Sequence, residues 1–240
     1  YLKDNGSRVF MSVIPDKGYY LAEENGYLAM DYTAMTEAFR QGMPWATHID
    51  LTAYLTGEDY YRTDTHWRQE SLLEAAEAIC NVIGVNGPAA EDYTVTELER
   101  PFYGVYYGQA ALPMEPDTMY YLTNDILESC TVTIHDDGTT AQVLDRTKID
   151  SKDLYNVFLS GSAAVLEITN PAGTAGKELI VFRDSFGSSL IPLLAEAYKS
   201  IYVVDIRYVA PDFLGSVIDF EGKDTLFLYS TLVLNQKAFK

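Results

Sequence analysis

The fold of this chain follows from Leu179-Ile180-Val181-Phe182-Arg183-Asp184-Ser185-Phe186-Gly187. The first four residues are apolar, and such a run is typical of a buried strand. A helix is predicted directly afterwards, near residues 188–198, so Ser185 is expected on a strand-to-helix turn with backbone N–H groups close to its hydroxyl. In open α/β sheets, chemistry gathers at such strand ends. Ser185 is therefore the first candidate for a functional residue.

The last third of the chain alternates strands with helices. Strands are predicted near residues 178–182, 200–205 and 225–229, with helices near 188–198 and 212–218. This alternation favours a parallel sheet with right-handed crossovers. We therefore predict an α/β fold with a parallel central sheet.

The N-terminal part shows a similar pattern. Residues 8–14 form a short apolar run that predicts a strand, and a second strand is predicted over 46–51. Apolar residues at spacings of three and four predict helices over 29–41 and 67–83. Residues 57–66 have neither period and are expected to form a loop.

A strand-rich insertion is predicted from about residue 88 to residue 175. It includes a hairpin formed by residues 130–134 and 140–144 around the turn Asp136-Asp137-Gly138. No long linker isolates this stretch, so we expect a single domain that spans residues 1–240.

The composition restricts the partners and cofactors of the chain. It has 35 acidic and 17 basic residues, a formal charge of −18 that repels phosphate backbones, so nucleic acid is not an expected partner. The two cysteines, Cys80 and Cys130, have no spacing that would hold zinc. Both fall on predicted apolar elements and are interpreted as core residues. We expect no metal and no cofactor.

Only composition indicates where the protein acts. No apolar run approaches the roughly 20 residues that cross a bilayer, and the chain opens with Tyr1-Leu2-Lys3-Asp4 rather than with methionine or a signal sequence. We expect a piece of a longer, processed protein, with any membrane attachment through a segment outside it. Acidity, 19 tyrosines and few cysteines fit an exported domain of a bacterial surface protein, and hence an extracellular location.

Ser185 can act as a nucleophile only if a base accepts its proton. The chain has three histidines, His48, His66 and His135. His66 follows Asp64 by two positions in the predicted loop, a spacing short enough for the carboxylate to orient the imidazole and stabilise its charged form. His48 and His135 fall in or beside predicted strands, where a structural role explains them better. The residues thus indicate Ser185, His66 and Asp64 as nucleophile, base and orienting acid.

Two blocks of sequence resemble a known family. Residues 182–189, Phe-Arg-Asp-Ser-Phe-Gly-Ser-Ser, resemble the nucleophile block of the SGNH, or GDSL-like, hydrolase superfamily, with Arg183 in place of the usual glycine. Residues 60–67, Tyr-Tyr-Arg-Thr-Asp-Thr-His-Trp, resemble the signature of the DHHW proteins of Gram-positive bacteria, which are similar to alginate O-acetyltransferase domains. In those relatives the Asp-x-His block precedes the serine block, as it does here.

The resemblance implies an SGNH-hydrolase-like three-layer fold. By its motifs, Ser185 is the nucleophile, His66 the base and Asp64 the residue that orients the base. Thr65 departs from the pattern, because the family's name leads one to expect the first of two histidines there. The departure leaves the base in place but changes its neighbour, so substrate preference is not carried over.

The donors that would stabilise an oxyanion match no motif. SGNH enzymes use a glycine and an asparagine from separate blocks, and no segment of this chain matches those blocks. Gly104 is a candidate backbone donor and Arg207 a candidate charged donor. The alternative interpretations are a turn glycine and a structural ion pair.

Two more groups of residues have two interpretations each. Four arginines in or near the site segments either hold an anionic or acylated ligand or relieve crowding among carboxylates. They are Arg62, Arg68, Arg183 and Arg207. The tyrosine-rich run at Tyr103, Tyr106 and Tyr107 either forms a sugar-stacking wall or packs a sheet, and packing is favoured because aromatic residues are common in strands.

The sequence favours a serine-dependent acyl transfer on an acylated carbohydrate or another acylated small substrate. The protein would be an O-acetyl esterase or an O-acetyltransferase at the bacterial cell surface. The alternative is a non-catalytic cell-wall or glycan-binding module that retains the SGNH-like fold. The distance from Ser185 Oγ to His66 Nε2 separates the two, since a catalytic pair is expected at about 3 Å.

Overall fold

A mixed β-sheet forms the centre of the computed structural model, which describes residues 2, 4, 6–111 and 113–236. In chain order, the strands of these residues are β1 (Val9–Ile14), β2 (Thr47–Ile49), β3 (Thr94–Phe102), β4 (Asp117–Thr123), β5 (Thr131–Ile134), β6 (Thr139–Gln142), β7 (Val165–Thr169), β8 (Glu178–Arg183), β9 (Ser200–Val204) and β10 (Asp224–Ser230).

Within the described ranges, the central sheet has eight strands in the order β2-β1-β10-β8-β9-β7-β5-β6. From β2 to β9 each strand runs parallel to its neighbour. Strands β7, β5 and β6 continue the sheet in antiparallel pairing. This arrangement confirms the predicted α/β fold and its mostly parallel central sheet.

Strand β8, which leads to Ser185, lies in the middle of the parallel strands. Leu179 and Val181 belong to the core on one face of the sheet, and Ile180 and Phe182 belong to the core on the other. A parallel strand that is covered on both faces has a continuous apolar run rather than an alternating one. The apolar run in the sequence is therefore explained by the position of β8 between β10 and β9.

Helices flank the sheet on both faces. In the described parts of the chain the α-helices are α1 (Lys17–Leu21), α2 (Tyr32–Gly42), α3 (Leu73–Ile83), α4 (Val105–Ala110), α5 (Asp125–Ser129), α6 (Gly187–Leu190), α7 (Pro211–Leu214) and α8 (Thr231–Leu234). Among these residues, no helix has both the length and the apolar character that crossing a bilayer requires.

The stretch predicted as an insertion contributes to two sheets. Strands β3 and β4 form a separate antiparallel pair, whereas the predicted hairpin is found as β5 and β6 and joins β7 at one edge of the central sheet. A short 3₁₀ helix, Leu154–Val157, follows the hairpin and packs against β3 and β4. Residues of the insertion thus reach the centre of the molecule, including Tyr155, which is 4% exposed.

Three predicted helices differ from the observed ones. The helix expected over 212–218 is α7, which ends at Leu214 and is followed by a turn. The helix expected over 67–83 begins only at Leu73, because Trp67 pairs with Tyr60 as an isolated β-bridge and a 3₁₀ turn intervenes at Gln69–Ser71. The helix expected over 188–198 is α6 followed by a 3₁₀ helix over Ile191–Ala197. Pro192 lies at the junction of these two helices, where its lack of an N–H opposes continued α-helical hydrogen bonding.

The helix expected over 29–41 is present as α2, with Asp31 as its N-cap. Its apolar residues do not bury a face, since none of the residues of α2 is buried and the preceding Leu28 is fully exposed. Periodicity predicted the helix correctly, but the contact that its apolar side chains imply is not made within the described residues.

Replacement of Leu226 by alanine is expected to destabilise the protein strongly. Leu226 is 0% exposed in β10, in the core shared by β8 and α3, and Leu→Ala at such positions costs about 2 to 5 kcal/mol. Urea unfolding followed by circular dichroism measures the change. The control, Val95→Ala on β3, where Val95 is 56% exposed, is expected to change stability by less than about 0.5 kcal/mol. Equal losses for the two variants would contradict this account of the core.

Candidate active site

The turn that carries Ser185 is held by the side chain of its neighbour. Asp184 is 0% exposed; its Oδ1 accepts from Phe186 N–H at 3.0 Å and its Oδ2 accepts from Ser230 N–H at 2.7 Å. Ser230 ends β10, so one carboxylate connects the carboxyl ends of two neighbouring strands. Ser185 is thereby presented at the edge of the sheet where an α/β site is expected.

The structure brings together the three side chains that the sequence indicated. His66 Nε2 lies 2.8 Å from Ser185 Oγ, and His66 Nδ1 lies 2.5 Å from Asp64 Oδ1. The first of these contacts joins residues 119 positions apart in the chain. We call Asp64, His66 and Ser185 the Ser-His-Asp array.

Asp64 is ionised in this environment. Its burial opposes ionisation, but hydrogen bonds from the His66 side chain, from His66 N–H at 2.9 Å and from Val105 N–H at 2.8 Å outweigh that effect. Together they lower the pKa of Asp64 to about 2. A charged carboxylate at this position fixes the imidazole orientation and favours a positive charge on His66.

A second carboxylate, Asp117, holds the loop that carries Asp64 and His66. Asp117 Oδ2 accepts from Thr63 N–H at 2.7 Å and from Thr63 Oγ1 at 2.6 Å, and its Oδ1 accepts from Arg62 N–H at 3.0 Å. Asp117 begins β4, more than 50 residues after the loop. Sequence reasoning missed this residue, because nothing local to Asp117 indicates a partner so far away.

Aromatic residues enclose His66. The ring of Tyr155 stacks on the imidazole with centroids 3.9 Å apart and planes 11° apart, and Phe186 lies 4.9 Å from it at a tilted angle. Trp67 Nε1–H donates to Phe186 O and to Ser189 Oγ, both at 3.0 Å. Sequence reasoning also missed Tyr155, for which no motif or spacing gave a signal, and the role of Ser189, which ends the block 182–189 but was given no function there.

Gly104 lies against Asp64 rather than against Ser185. Its N–H donates to Thr63 Oγ1 at 3.1 Å and so has a partner other than an oxyanion. A Cβ at this position would lie 2.2 Å from Asp64 Cβ, so only glycine allows this approach. The expectation of a donor role for Gly104 is thus replaced by a packing role beside the orienting acid.

Arg207 also has another partner in this structure. Its Nε and Nη2 donate to the two oxygens of Asp205 at 2.8 and 2.6 Å, and this hydrogen-bonded pairing raises the pKa of Arg207. Arg183, at the position where the SGNH pattern has glycine, is 1% exposed and lies 4.0 Å from Asp205. Burial lowers the pKa of Arg183, and Asp205 opposes that effect. The ion-pair interpretation of Arg207 therefore fits the geometry.

The other two arginines also contact protein groups. Arg62 Nη2 donates to Glu115 O at 2.6 Å, and Arg68 lies 3.3 Å from Asp117.

Tyr103 and Tyr107 remain partly exposed beside each other, with ring centroids 4.6 Å apart.

A lysine lies next to this part of the site. Lys17 Nζ donates to Tyr61 O and lies 4.8 Å from the centroid of the half-buried Tyr106 ring. Burial lowers the pKa of Lys17 to about 8, although Asp64 and Asp117 oppose that shift.

The remaining candidates lie outside the array. His48 Nε2 is 3.3 Å from Met43 O, and His135 is 3.6 Å from Glu167. Burial raises the pKa of Cys80 to about 12 and that of Cys130 to about 11, so both thiols stay protonated. Thr65 Oγ1 makes a long contact of 3.4 Å with Asp64 Oδ1.

Within the described ranges, no group of three or more histidine, cysteine or acidic residues could hold a metal ion. A cavity of about 690 Å³, bordered by Gln69, Leu122, Thr140 and Phe158, does not include the Ser-His-Asp array.

The backbone N–H of Ser185 differs from the N–H groups of the residues that follow it. Among the described residues, Ser185 N–H makes no hydrogen bond, whereas the N–H groups of Phe186 and Gly187 donate to Asp184 and that of Ser188 donates to Ser185 O. The arrangement thus contains a nucleophile, a base, an orienting acid and one free N–H group at the nucleophile.

The model of the DHHW protein family matches residues 50–204 of the sequence. The chain belongs to the DHHW family. This match covers both the loop with Asp64 and His66 and the turn with Ser185. No curated protein matches the chain in sequence.

Solved structures share the fold of this DHHW protein. A DHHW family protein from Eubacterium siraeum is 24% identical with a TM-score of 0.77, over 98% of this chain and 82% of that one. Bacillus cereus PatB1 with a sulfonyl adduct is 20% identical with a TM-score of 0.77, over 100% and 87%. The O-acetyltransferase domain of Pseudomonas putida AlgJ is 15% identical with a TM-score of 0.55, over 98% and 79%. These likenesses confirm the SGNH-like α/β fold.

The change Gly104→Ala is expected to disturb Asp64. The added methyl group would lie 2.2 Å from Asp64 Cβ and 2.4 Å from Asp64 Oδ2, so the carboxylate must move and the contact to His66 must weaken. Overpacking of this kind costs about 1 to 3 kcal/mol. Urea unfolding measures the loss, and the low-field proton resonance of His66 Nδ1–H reports the hydrogen bond.

Gly108→Ala is the matched control for Gly104→Ala. Gly108 lies in α4, and a Cβ there would have no heavy atom within 4 Å. Alanine replaces glycine in a helix with a gain of about 0.5 to 1 kcal/mol, so this variant is expected to keep the resonance and to lose no stability. If Gly104→Ala behaves like Gly108→Ala, the packing role of Gly104 is wrong.

Proposed function

We propose that this DHHW protein is a serine-dependent acyl-transfer enzyme. The observation that carries the proposal is the unbroken chain of contacts from Asp64 through His66 to Ser185, at 2.5 and 2.8 Å. Polar side chains of this kind have no structural need to meet in this order. A serine paired with an oriented imidazole is the arrangement that nucleophilic catalysis requires.

The first half of the reaction transfers the acyl group to the enzyme. Ser185 Oγ forms a bond to the acyl carbon while His66 Nε2 takes the hydroxyl proton, giving a tetrahedral intermediate and an imidazolium. The intermediate then breaks its bond to the leaving oxygen, which takes the proton from His66. Asp64, which is ionised and hydrogen-bonded to His66 Nδ1, stabilises the imidazolium during both steps.

The second half releases the acyl group to an acceptor. A water molecule or a carbohydrate hydroxyl gives its proton to His66 while its oxygen attacks the acyl carbon, and Ser185 Oγ leaves and regains that proton. The free N–H of Ser185 supplies one hydrogen bond to the oxyanion in each half. Water as acceptor makes the protein an esterase, and a sugar hydroxyl makes it an O-acetyltransferase.

The comparisons support this chemistry in two ways. AlgJ contains an O-acetyltransferase domain, and the present chain shares its fold. PatB1 was determined with a sulfonyl adduct, and such adducts form when a nucleophile attacks an electrophilic sulfonyl group. An acetyl group is therefore the acyl group that we propose for this protein.

The substrate and the location are part of the same proposal. We infer an acylated carbohydrate as substrate and the outside of a bacterial cell as location. The partly exposed pair Tyr103 and Tyr107, on and beside α4, offers ring faces of the kind that stack on sugars. The formal charge of −18 disfavours nucleic acid as a partner.

The alternative of a non-catalytic glycan-binding module explains less of the site. Such a module has no need for an ionised carboxylate, an imidazole and a hydroxyl in hydrogen-bonded sequence. Binding could use Tyr103 and Tyr107 without any of the three.

Turnover of p-nitrophenyl acetate tests the proposal. The substitutions Ser185→Ala and His66→Ala are each expected to lower kcat/KM at least about 1,000-fold, because the nucleophile and its base act as a unit. His48→Ala is the control, since His48 lies on β2 with a contact to Met43 O and takes no part in the array. It is expected to retain full activity.

Two outcomes would reject an acyl-transfer role. One is equal background turnover for the wild type, Ser185→Ala and His66→Ala. The other is glycan binding that survives Ser185→Ala while no acetylated glycan is hydrolysed or formed, which would favour the binding module.

A further inference from the structure

The ring of Tyr155 covers the face of the His66 imidazole. This contact has no part in the proton transfers proposed above. The edges of the imidazole are occupied by Asp64 at Nδ1 and Ser185 at Nε2. Tyr155 meets the ring face, nearly parallel to it at 3.9 Å between centroids. His66 is therefore contacted on two edges and one face by three different segments of the chain.

Packing holds the Tyr155 ring in this position. The residue is 4% exposed, and Phe158 packs against it edge-on with centroids 5.1 Å apart. At the far end, Tyr155 Oη lies 2.8 Å from Ser189 Oγ, where either hydroxyl can donate to the other. The ring cannot swing away from His66 without breaking these contacts.

The backbone after Tyr155 is also fixed. Leu159 and Ser160 adopt left-handed conformations with φ of 52° and 58°, which cost energy for residues other than glycine. Leu159 N–H donates to Val143 O at 3.1 Å, and Ser160 Oγ donates to Asp145 at 2.6 Å. These contacts anchor the turn after Tyr155 to Val143 and Asp145.

Tyr155 also belongs to a second connection between base and nucleophile. Trp67, the residue after His66, donates to Ser189 Oγ at 3.0 Å, and Ser189 lies four positions after Ser185. Ser189 in turn contacts Tyr155. The stacked ring is thus positioned by the same short helix that follows the nucleophile.

On the basis of the acyl transfer proposed above, we propose that Tyr155 is a positioning residue whose ring face stabilises the imidazolium form of His66. An aromatic face carries negative charge density and attracts a cation, more strongly where water is excluded. His66 is 9% exposed, so little water competes with the ring. The stabilisation acts in each half-reaction, when His66 Nε2 holds the proton.

Other charged groups around His66 are the same in every variant proposed below. Asp64 lies on its own loop, and Lys17 lies close enough to act on Asp64. From the end of β8, the charges of Asp184 and Arg183 act on Tyr155. A difference in pH profile between variants at position 155 therefore reflects the change in the ring at that position.

The pH dependence of kcat/KM for p-nitrophenyl acetate tests this role. The rising limb reports the loss of a proton from His66, and a group that stabilises the imidazolium raises the pKa of that limb. Tyr155→Leu is expected to move the limb about 0.5 to 1 unit to lower pH and to reduce the plateau kcat about three- to ten-fold. Tyr155→Phe, which keeps the ring, is expected to leave the limb in place.

Two further variants distinguish an electrostatic effect of the Tyr155 ring on His66 from a structural effect. Replacing Tyr155 by pentafluorophenylalanine keeps the shape of a ring but removes the negative charge density of its face. The rising limb of this variant is therefore expected at lower pH than that of Tyr155→Phe. Phe227→Leu removes a ring from the core on the other face of the sheet, where Phe227 stacks on Phe182 away from Tyr155, and it is expected to leave the limb unchanged. A limb that stays in place or moves to higher pH on fluorination would overturn the proposal, even if Tyr155→Leu does not fold.

An NMR titration of the imidazoles gives the same test without catalysis. The chain has three histidines, so His48 and His135 are internal references for His66. The pKa of His66 is expected to fall in the fluorinated variant relative to Tyr155→Phe, while the references stay constant. If the wild type has no acyl-transfer activity, the proposed function fails and this titration still decides the role of Tyr155.

Discussion

The buried carboxylate of Asp64 is the constraint on which the rest of the site depends. Desolvation opposes its charge, so the ionised form exists here only because donors surround it. Two of those donors belong to His66 and orient the base, and a third is the N–H of Val105 at the start of α4. The close approach of α4 in turn requires glycine at position 104. The charge of Asp64 therefore explains the position of α4 and the direction of the imidazole, while Asp117 holds the loop that carries both residues.

Much of the fold could be predicted because its signals are local. The apolar run of β8 reflects burial on both faces of the sheet, and the alternation of strands and helices after it reflects parallel pairing. Helix boundaries were less predictable, since they depend on distant partners. Trp67 leaves the helical pattern because its backbone pairs with Tyr60, and its indole N–H donates to Phe186 O, 119 residues away. The exposed apolar side chains of α2 show that a periodic pattern does not by itself establish a buried face.

The residues of the site likewise fall into those that could be predicted from the sequence and those that could not. Asp64, His66 and Ser185 could be predicted because their chemistry and short motifs limit the choice, and the structure places them in contact. Asp117, Ser189 and Tyr155 could not, since each acts through a partner more than 30 residues away and belongs to a residue type with many ordinary uses. Gly104 and Arg207 were expected as oxyanion donors, but their donors meet Thr63 and Asp205. Among the described residues, the N–H of Ser185 makes no hydrogen bond, and it is the donor that we propose for the oxyanion.

Covalent labelling tests the central claim that Ser185 is an activated nucleophile. The wild type is treated with a fluorophosphonate or a phenylmethylsulfonyl fluoride probe, and the modified residue is located by peptide mass spectrometry. We expect a single adduct on Ser185, formed at least about 100-fold more slowly in His66→Ala, because general-base assistance is worth about that much. No adduct on Ser185, or an adduct that forms equally fast in His66→Ala, would show that His66 does not activate Ser185 as a nucleophile.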